Sequence, residues 1–96
     1  MFIYVIGPEI GPQKIGFTKD VNRRIKALQT GHPDKLIIHH LQEVNEKVYR
    51  KLEKRIHLEL NHKKLKGEWF NITSQEAVEF LQYAFIRWSA DPLLLC

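Results

Sequence analysis

Five consecutive β-branched or aromatic residues, Phe2-Ile3-Tyr4-Val5-Ile6, run straight into the turn cluster Gly7-Pro8-Glu9-Ile10-Gly11-Pro12. Such a run favours a strand, and the glycines and prolines that follow prevent its continuation. The next extended stretch, Lys14-Ile15-Gly16-Phe17-Thr18, is then its hairpin partner. Gly16 inside that second strand signals a bulge or a close approach of another group to the backbone. Alternation puts Tyr4 on the face of Phe2 and Ile6, which makes a core tyrosine with a satisfied hydroxyl the default.

Helical signals begin after the hairpin. Asp20 is an N-cap, and Val21, Ile25 and Leu28 recur at helical spacing. Gly31 and Pro33 stop this helix near Thr30. The short branched segment 35–42, KLIIHHLQ, predicts a third strand. A second helix, from Val44 to about Asn61, carries Val48, Leu52, Ile56 and Leu60 in steps of four. GEWFNI (67–72) predicts a short extended piece. Thr73-Ser74-Gln75-Glu76 has the form of a capping box and opens a third helix over 73–89, with Val78, Leu81 and Phe85 inward. The order β-β-α-β-α-(β)-α predicts an α/β (α+β) domain, with a mainly antiparallel three-stranded sheet flanked by helices. At 96 residues the chain is read as a single domain over 1–96.

Composition narrows the class. No apolar run approaches the ~20 residues of a membrane span, and the N-terminus lacks the pattern of a secretory signal. The single cysteine, Cys96, leaves no internal disulfide and no cysteine-based zinc site, which points to the cytoplasm. Residues 14–66 hold fourteen lysines and arginines against six acids, while residues 67–96 hold one base against four acids. A basic middle of this kind suits a polyanion such as nucleic acid, although solvated lysine-rich helix faces would look the same.

Some residues stand out because the core does not need them. Tyr49, Glu53 and His57 form a column beside the apolar column of the second helix. Arg24 immediately precedes Ile25 of the first helix, where it either snorkels along apolar surface or holds a phosphate. The five histidines (32, 39, 40, 57 and 62) lack the spacing of a histidine metal centre.

Taken in order, IYVI at 3–6, KIGFT at 14–18, Asp20, Arg24, LQTGHP at 28–33, Glu53…His57 and GEWF at 67–70 resemble the GIY-YIG nuclease superfamily. The closer likeness is to its phage and bacterial branch, with a KIG second signature and a closing GEWF. It covers residues 2–71. The resemblance implies a tyrosine general base at Tyr4, a scissile-phosphate ligand at Arg24, and Glu53 holding one Mg²⁺ or Mn²⁺. His57 is implied in phosphate contact or proton transfer, and Asn71 as a late asparagine. Lys14 stands where most members carry a second tyrosine. There it would lower the pKa of Tyr4 or of the attacking water, or contact phosphate directly.

The resulting expectation is a metal-dependent DNA endonuclease acting on double-stranded or branched DNA, with no membrane partner. Lys19, Arg23 and Lys26 on one helix and Lys47, Arg50, Lys51, Lys54 and Arg55 on the next would track the backbone. With no second domain to read sequence, specificity would come from DNA structure or a targeting partner protein. The closing LLLC suggests a homodimer contact or a chain cut from something longer. The rival expectation is a non-catalytic module that binds nucleic acid or protein on the same scaffold.

Overall fold

The computed structural model describes residues 1–89. Four antiparallel strands, β1 (Phe2–Gly7), β2 (Gln13–Thr18), β3 (Ile37–Glu43) and β4 (Trp69–Phe70), lie in the order β3-β1-β2-β4. Three helices pack on them: α1 (Val21–Gln29), α2 (Tyr49–Glu59) and α3 (Ser74–Ala84), the last followed by a π-turn at Phe85–Ser89. The α+β class and the predicted hairpin are observed. The sheet has a fourth strand because the GEWF segment pairs its last two residues, Trp69 and Phe70, with Lys14 and Gln13.

β1 is buried on both faces. Ile3 and Val5 join Ile15, Phe17, Leu52, Ile56, Leu81 and Trp88 in the core under α2 and α3. Tyr4 and Ile6 point the other way, with Leu36, and are covered by Val21, Ile25 and Leu28 of α1 together with Trp69. The period of two in the strand thus builds two apolar layers, one per face.

Local sequence accounts for most element ends. Asp20 caps α1 by accepting from the Arg23 N–H at 3.1 Å. Gly31, at φ +80°, supplies the left-handed residue that ends the helix. Thr73 and Glu76 form the expected capping box of α3. Two expectations shift. The α2 helix begins at Tyr49 rather than Val44, because Val44 is buried with its N–H on the Met1 carbonyl and Asn45 makes a turn that receives the Val48 N–H. The buried stripe of α3 is Ala77, Leu81, Ala84 and Trp88, so Val78 and Phe85 sit at its margin. Between Val5 and Ile6 the β1–β3 register shifts, which leaves His39 as an extra residue in β3. The LLLC tail and its homodimer contact fall outside the described residues.

Tyr4 pairs directly with Gly16 across the hairpin. A Cβ at position 16 would overlap the Tyr4 hydroxyl and the Glu68 carboxylate, so here the glycine marks close approach rather than a bulge. Gly16→Ala is therefore expected to cost ~1–3 kcal/mol by overpacking. Urea unfolding checks this, and an unchanged midpoint would show that Tyr4 and Glu68 move aside freely.

Candidate functional site

The Tyr4 ring crosses Gly16 and ends at the outer edge of β2. There β4 has run out, since it pairs only with Gln13 and Lys14. Just before β4, the Glu68 carbonyl accepts the Ile15 N–H at 3.2 Å, which fixes Glu68 beside Gly16. On the neighbouring helix, Leu52 and Ile56 are buried against the sheet, and this turns Glu53 and His57 toward the same edge. Ligand atoms of Glu53, His57 and Glu68 all lie within 4.8 Å of one another, and the three residues are half-buried.

His57 is held in orientation from both sides. Its Nε2 lies 3.2 Å from the Ile15 carbonyl, and its ring meets Phe70 edge-on with centroids 5.4 Å apart. A carbonyl only accepts, so Nε2 carries the proton and the neutral ring keeps its lone pair on Nδ1. Two carboxylates and an imidazole form a donor set suited to a divalent cation such as Mg²⁺ or Mn²⁺. A second observation fits the same group. The Tyr4 hydroxyl is fully buried and has no hydrogen-bond partner, which costs free energy unless something else uses it.

Electrostatics tie these groups together. Burial pushes the Tyr4 phenol up to about 12; Arg24 works against this, while Glu68 and Glu53 add to it. Burial also raises the Glu53 carboxyl above its ordinary value, helped by the negative charge of Glu68 and opposed by His57 and Arg50. Without a cation the site therefore carries two mutually repelling carboxylates beside a protonated phenol.

Beyond this cluster the cationic residues divide. Lys19, Arg23 and Arg24 line a shallow recess of about 350 Å³ with Thr18, Asp20 and Ala27. Arg24 is exposed rather than laid along apolar surface. Lys19 lies 3.9 Å from Glu46 in an open pair. Lys26 and Lys54 are exposed on α1 and α2, and Arg50 donates to the Tyr49 hydroxyl at 3.1 Å. Arg55 departs from the expected DNA-tracking face, because it pairs with Glu59 at 3.2 Å and stacks over Trp88 at 5.0 Å.

Lys14 sets its ammonium over the Trp69 ring, 5.7 Å from the centroid. The cationic side chain acting on the Tyr4 hydroxyl is that of Arg24. Asn71 is exposed and falls outside the Glu53–His57–Glu68 group.

The model of the T5orf172 domain matches residues 1–88. The chain belongs to the T5orf172 family. This corrects the assignment drawn from motif order: the family that matches is not GIY-YIG. The motifs behind that resemblance are short, and a hairpin followed by a capped helix explains several of them without shared family. No curated protein and no solved structure matches the chain. T5orf172 domains are linked to nucleic-acid-related phage proteins, in keeping with the basic recess. Among the described residues, no helix is long and apolar enough to cross a membrane.

Of the residues singled out from sequence, Tyr4, Arg24, Glu53 and His57 gather in this T5orf172 domain. Histidine spacing argued against a histidine metal centre; the residues that His57 lies against are the carboxylates Glu53 and Glu68, a group that could hold a cation. Glu68 was missed. Its signal was an acid directly before the apolar pair Trp69-Phe70, but only the fold brings it opposite Gly16.

Two outcomes follow for the cation-free T5orf172 domain. Tyr4→Phe removes an unsatisfied buried hydroxyl and is expected to raise unfolding free energy by ~1 kcal/mol; a loss would show that the hydroxyl is partnered. A carboxyl whose folded pKa exceeds its unfolded one holds its proton more readily when folded. The Glu53 increment is thus present at acid pH and lost as pH rises through the raised pKa. Thermal unfolding should show that Glu53→Gln flattens this fall and that added Mn²⁺ stabilises the wild type at neutral pH but not the variant. Equal Mn²⁺ responses would remove Glu53 from the cation site.

Proposed function

We propose that this chain is a metal-dependent DNA endonuclease that hydrolyses phosphodiester bonds by water attack, using one Mg²⁺ or Mn²⁺. The observation that carries this reading is the buried, unpartnered Tyr4 hydroxyl at the rim of Glu53, His57 and Glu68, with Arg24 acting on it. A module that only bound nucleic acid would need the cations of the recess. It would have no use for a desolvated phenol or for carboxylates that repel its ligand.

Each residue has a physical task. Lys19, Arg23, Lys26 and Arg24 hold the phosphate backbone, with the Arg24 fork on the scissile phosphate. Glu53, Glu68 and His57 would hold the cation. When bound, the cation would neutralise the two carboxylates that raise the Tyr4 pKa and supply Lewis-acid charge to the phosphate oxygens. Tyr4, once its own phenolic proton has passed to solvent, would take the proton of the attacking water, solvent would protonate the departing alkoxide, and Arg24 would offset charge developing on the phosphate. Lys14, two residues along β2 from the Gly16 partner of Tyr4, contributes positive charge through its place over Trp69.

Cleavage of supercoiled, single-stranded and branched DNA with Mg²⁺ or Mn²⁺ tests the reading. Tyr4→Phe is expected to lower the rate ~10²–10⁴-fold and Arg24→Ala ~10²–10³-fold. Glu53→Ala should abolish metal-dependent cleavage. DNA retained at low salt but never cut with either metal would favour the binding module instead.

A further inference from the structure

A second concave feature lies on the α1 side of the sheet. Pro8, Ile10 and Pro12 of the β1–β2 loop face His32, Asp34, Leu65, Lys66 and Trp69 across a cleft of about 310 Å³. Its walls are held in place. Gln13, fully buried, donates through Nε2 to the Pro8 and Gly11 carbonyls, both at 3.0 Å. The His39 imidazole adds Nε2 contacts to the Gly7 and Pro8 carbonyls at 3.2 and 3.1 Å. On the other side the His32 and Trp69 rings stack with centroids 5.4 Å apart and planes 25° from parallel. The Asp34 N–H donates to His32 Nδ1 at 3.1 Å, which fixes the imidazole. β4 is pinned by the Leu65 N–H on the Trp69 carbonyl at 2.9 Å.

This rigid loop presents Ile10 to solvent at 91% exposure, the most exposed large apolar side chain among the described residues. Apolar side chains held out in this way act as wedges between bases, and aromatic side chains serve as stacking platforms for unpaired ones. Lys66 on the lining and Lys14 over Trp69 set two positive charges against the one negative charge of Asp34, which suits the backbone of a strand entering the cleft. It is also continuous with the candidate site. Trp69 directly follows Glu68, and Lys14 lies two residues from Gly16 on the face that Tyr4 occupies. The helix that carries Arg24 and Trp69 cover the same face of β1, so a strand whose phosphate is held by Arg24 lies on the side of the sheet where the cleft opens.

We infer that this cleft takes one unpaired nucleobase beside the scissile phosphate, so that the substrate is DNA with an unpaired base at the cut, as at a branch or in a single strand. This rests on the nuclease reading for its biological meaning, but its test does not require cleavage.

The experiment measures fluorescence-anisotropy affinities in EDTA for three labelled DNAs. These are a branched duplex with an unpaired base at the junction, the same duplex with that base replaced by an abasic site, and a continuous duplex. The wild type is expected to bind the first at least ~5-fold more tightly than the other two. Ile10→Ser should erase most of that difference while leaving affinity for continuous duplex unchanged; Trp69→Ala should erase it as well, and Trp69→Phe should retain it. Ile10→Ser alters only an exposed side chain, so it stays informative even if Trp69→Ala unfolds. Equal affinity for base and abasic DNA in the wild type would overturn the inference, as would a preference that survives both variants. A protein that cuts DNA yet shows no such preference refutes the cleft and spares the nuclease reading; one that shows the preference but never cuts does the reverse.

Discussion

Burial of β1 on both faces is the constraint on which the rest of the molecule depends. Ile3 to Gly7 are all buried, and each side needs its own cover. Fully burying side chains of this size is worth ~1.5–3 kcal/mol apiece, enough to recruit α2 and α3 to one face and α1 to the other. The same alternation that makes Ile3 and Val5 core residues sends Tyr4 to the α1 side, where its ring lies over Gly16. A strand built for stability thereby delivers one polar atom to the sheet edge. Among the described residues, that hydroxyl and Gln13 Oε1 are the buried side-chain atoms left without a partner.

The two halves of the chain meet this constraint differently. The hairpin, the capped start and end of α1 and the capping box of α3 were legible in the sequence, because each is decided within a few residues by turn chemistry, a cap or a glycine. The face of Tyr4 and the column of Glu53 and His57 were also legible, since both follow from fixed periodicity. What could not be read is decided by contacts distant in sequence. α2 starts late because Val44 is drawn under the Met1 carbonyl. In α3 Leu81 is buried as expected, while Ala77 and Ala84 take the places of Val78 and Phe85 and Trp88 packs against the core. Glu68 looks like one more surface acid until Ile15 hydrogen-bonds its carbonyl.

The family assignment teaches the same lesson at a larger scale. Short motifs in a fixed order are partly a record of what any small hairpin-led α+β domain requires: glycine where a ring crosses, a cap before a helix, a glycine after it. Such marks carry the architecture further than they carry descent. The grouping of Tyr4, Arg24, Glu53 and His57 stands apart from the family assignment, because it is seen in the fold itself. The role argued for Arg55 changes, because geometry redirects its side chain.

The grouped residues come from β1, α1, α2 and the approach to β4, at positions 4, 24, 53, 57 and 68. No contiguous segment of the chain holds more than a fraction of the constellation. During synthesis the first strand and first helix emerge long before Glu68, and β4 cannot pair with β2 until Phe70 has left the ribosome. The group therefore comes into being only when the domain closes, and a nascent or partly unfolded copy carries its basic surface without the grouped acids.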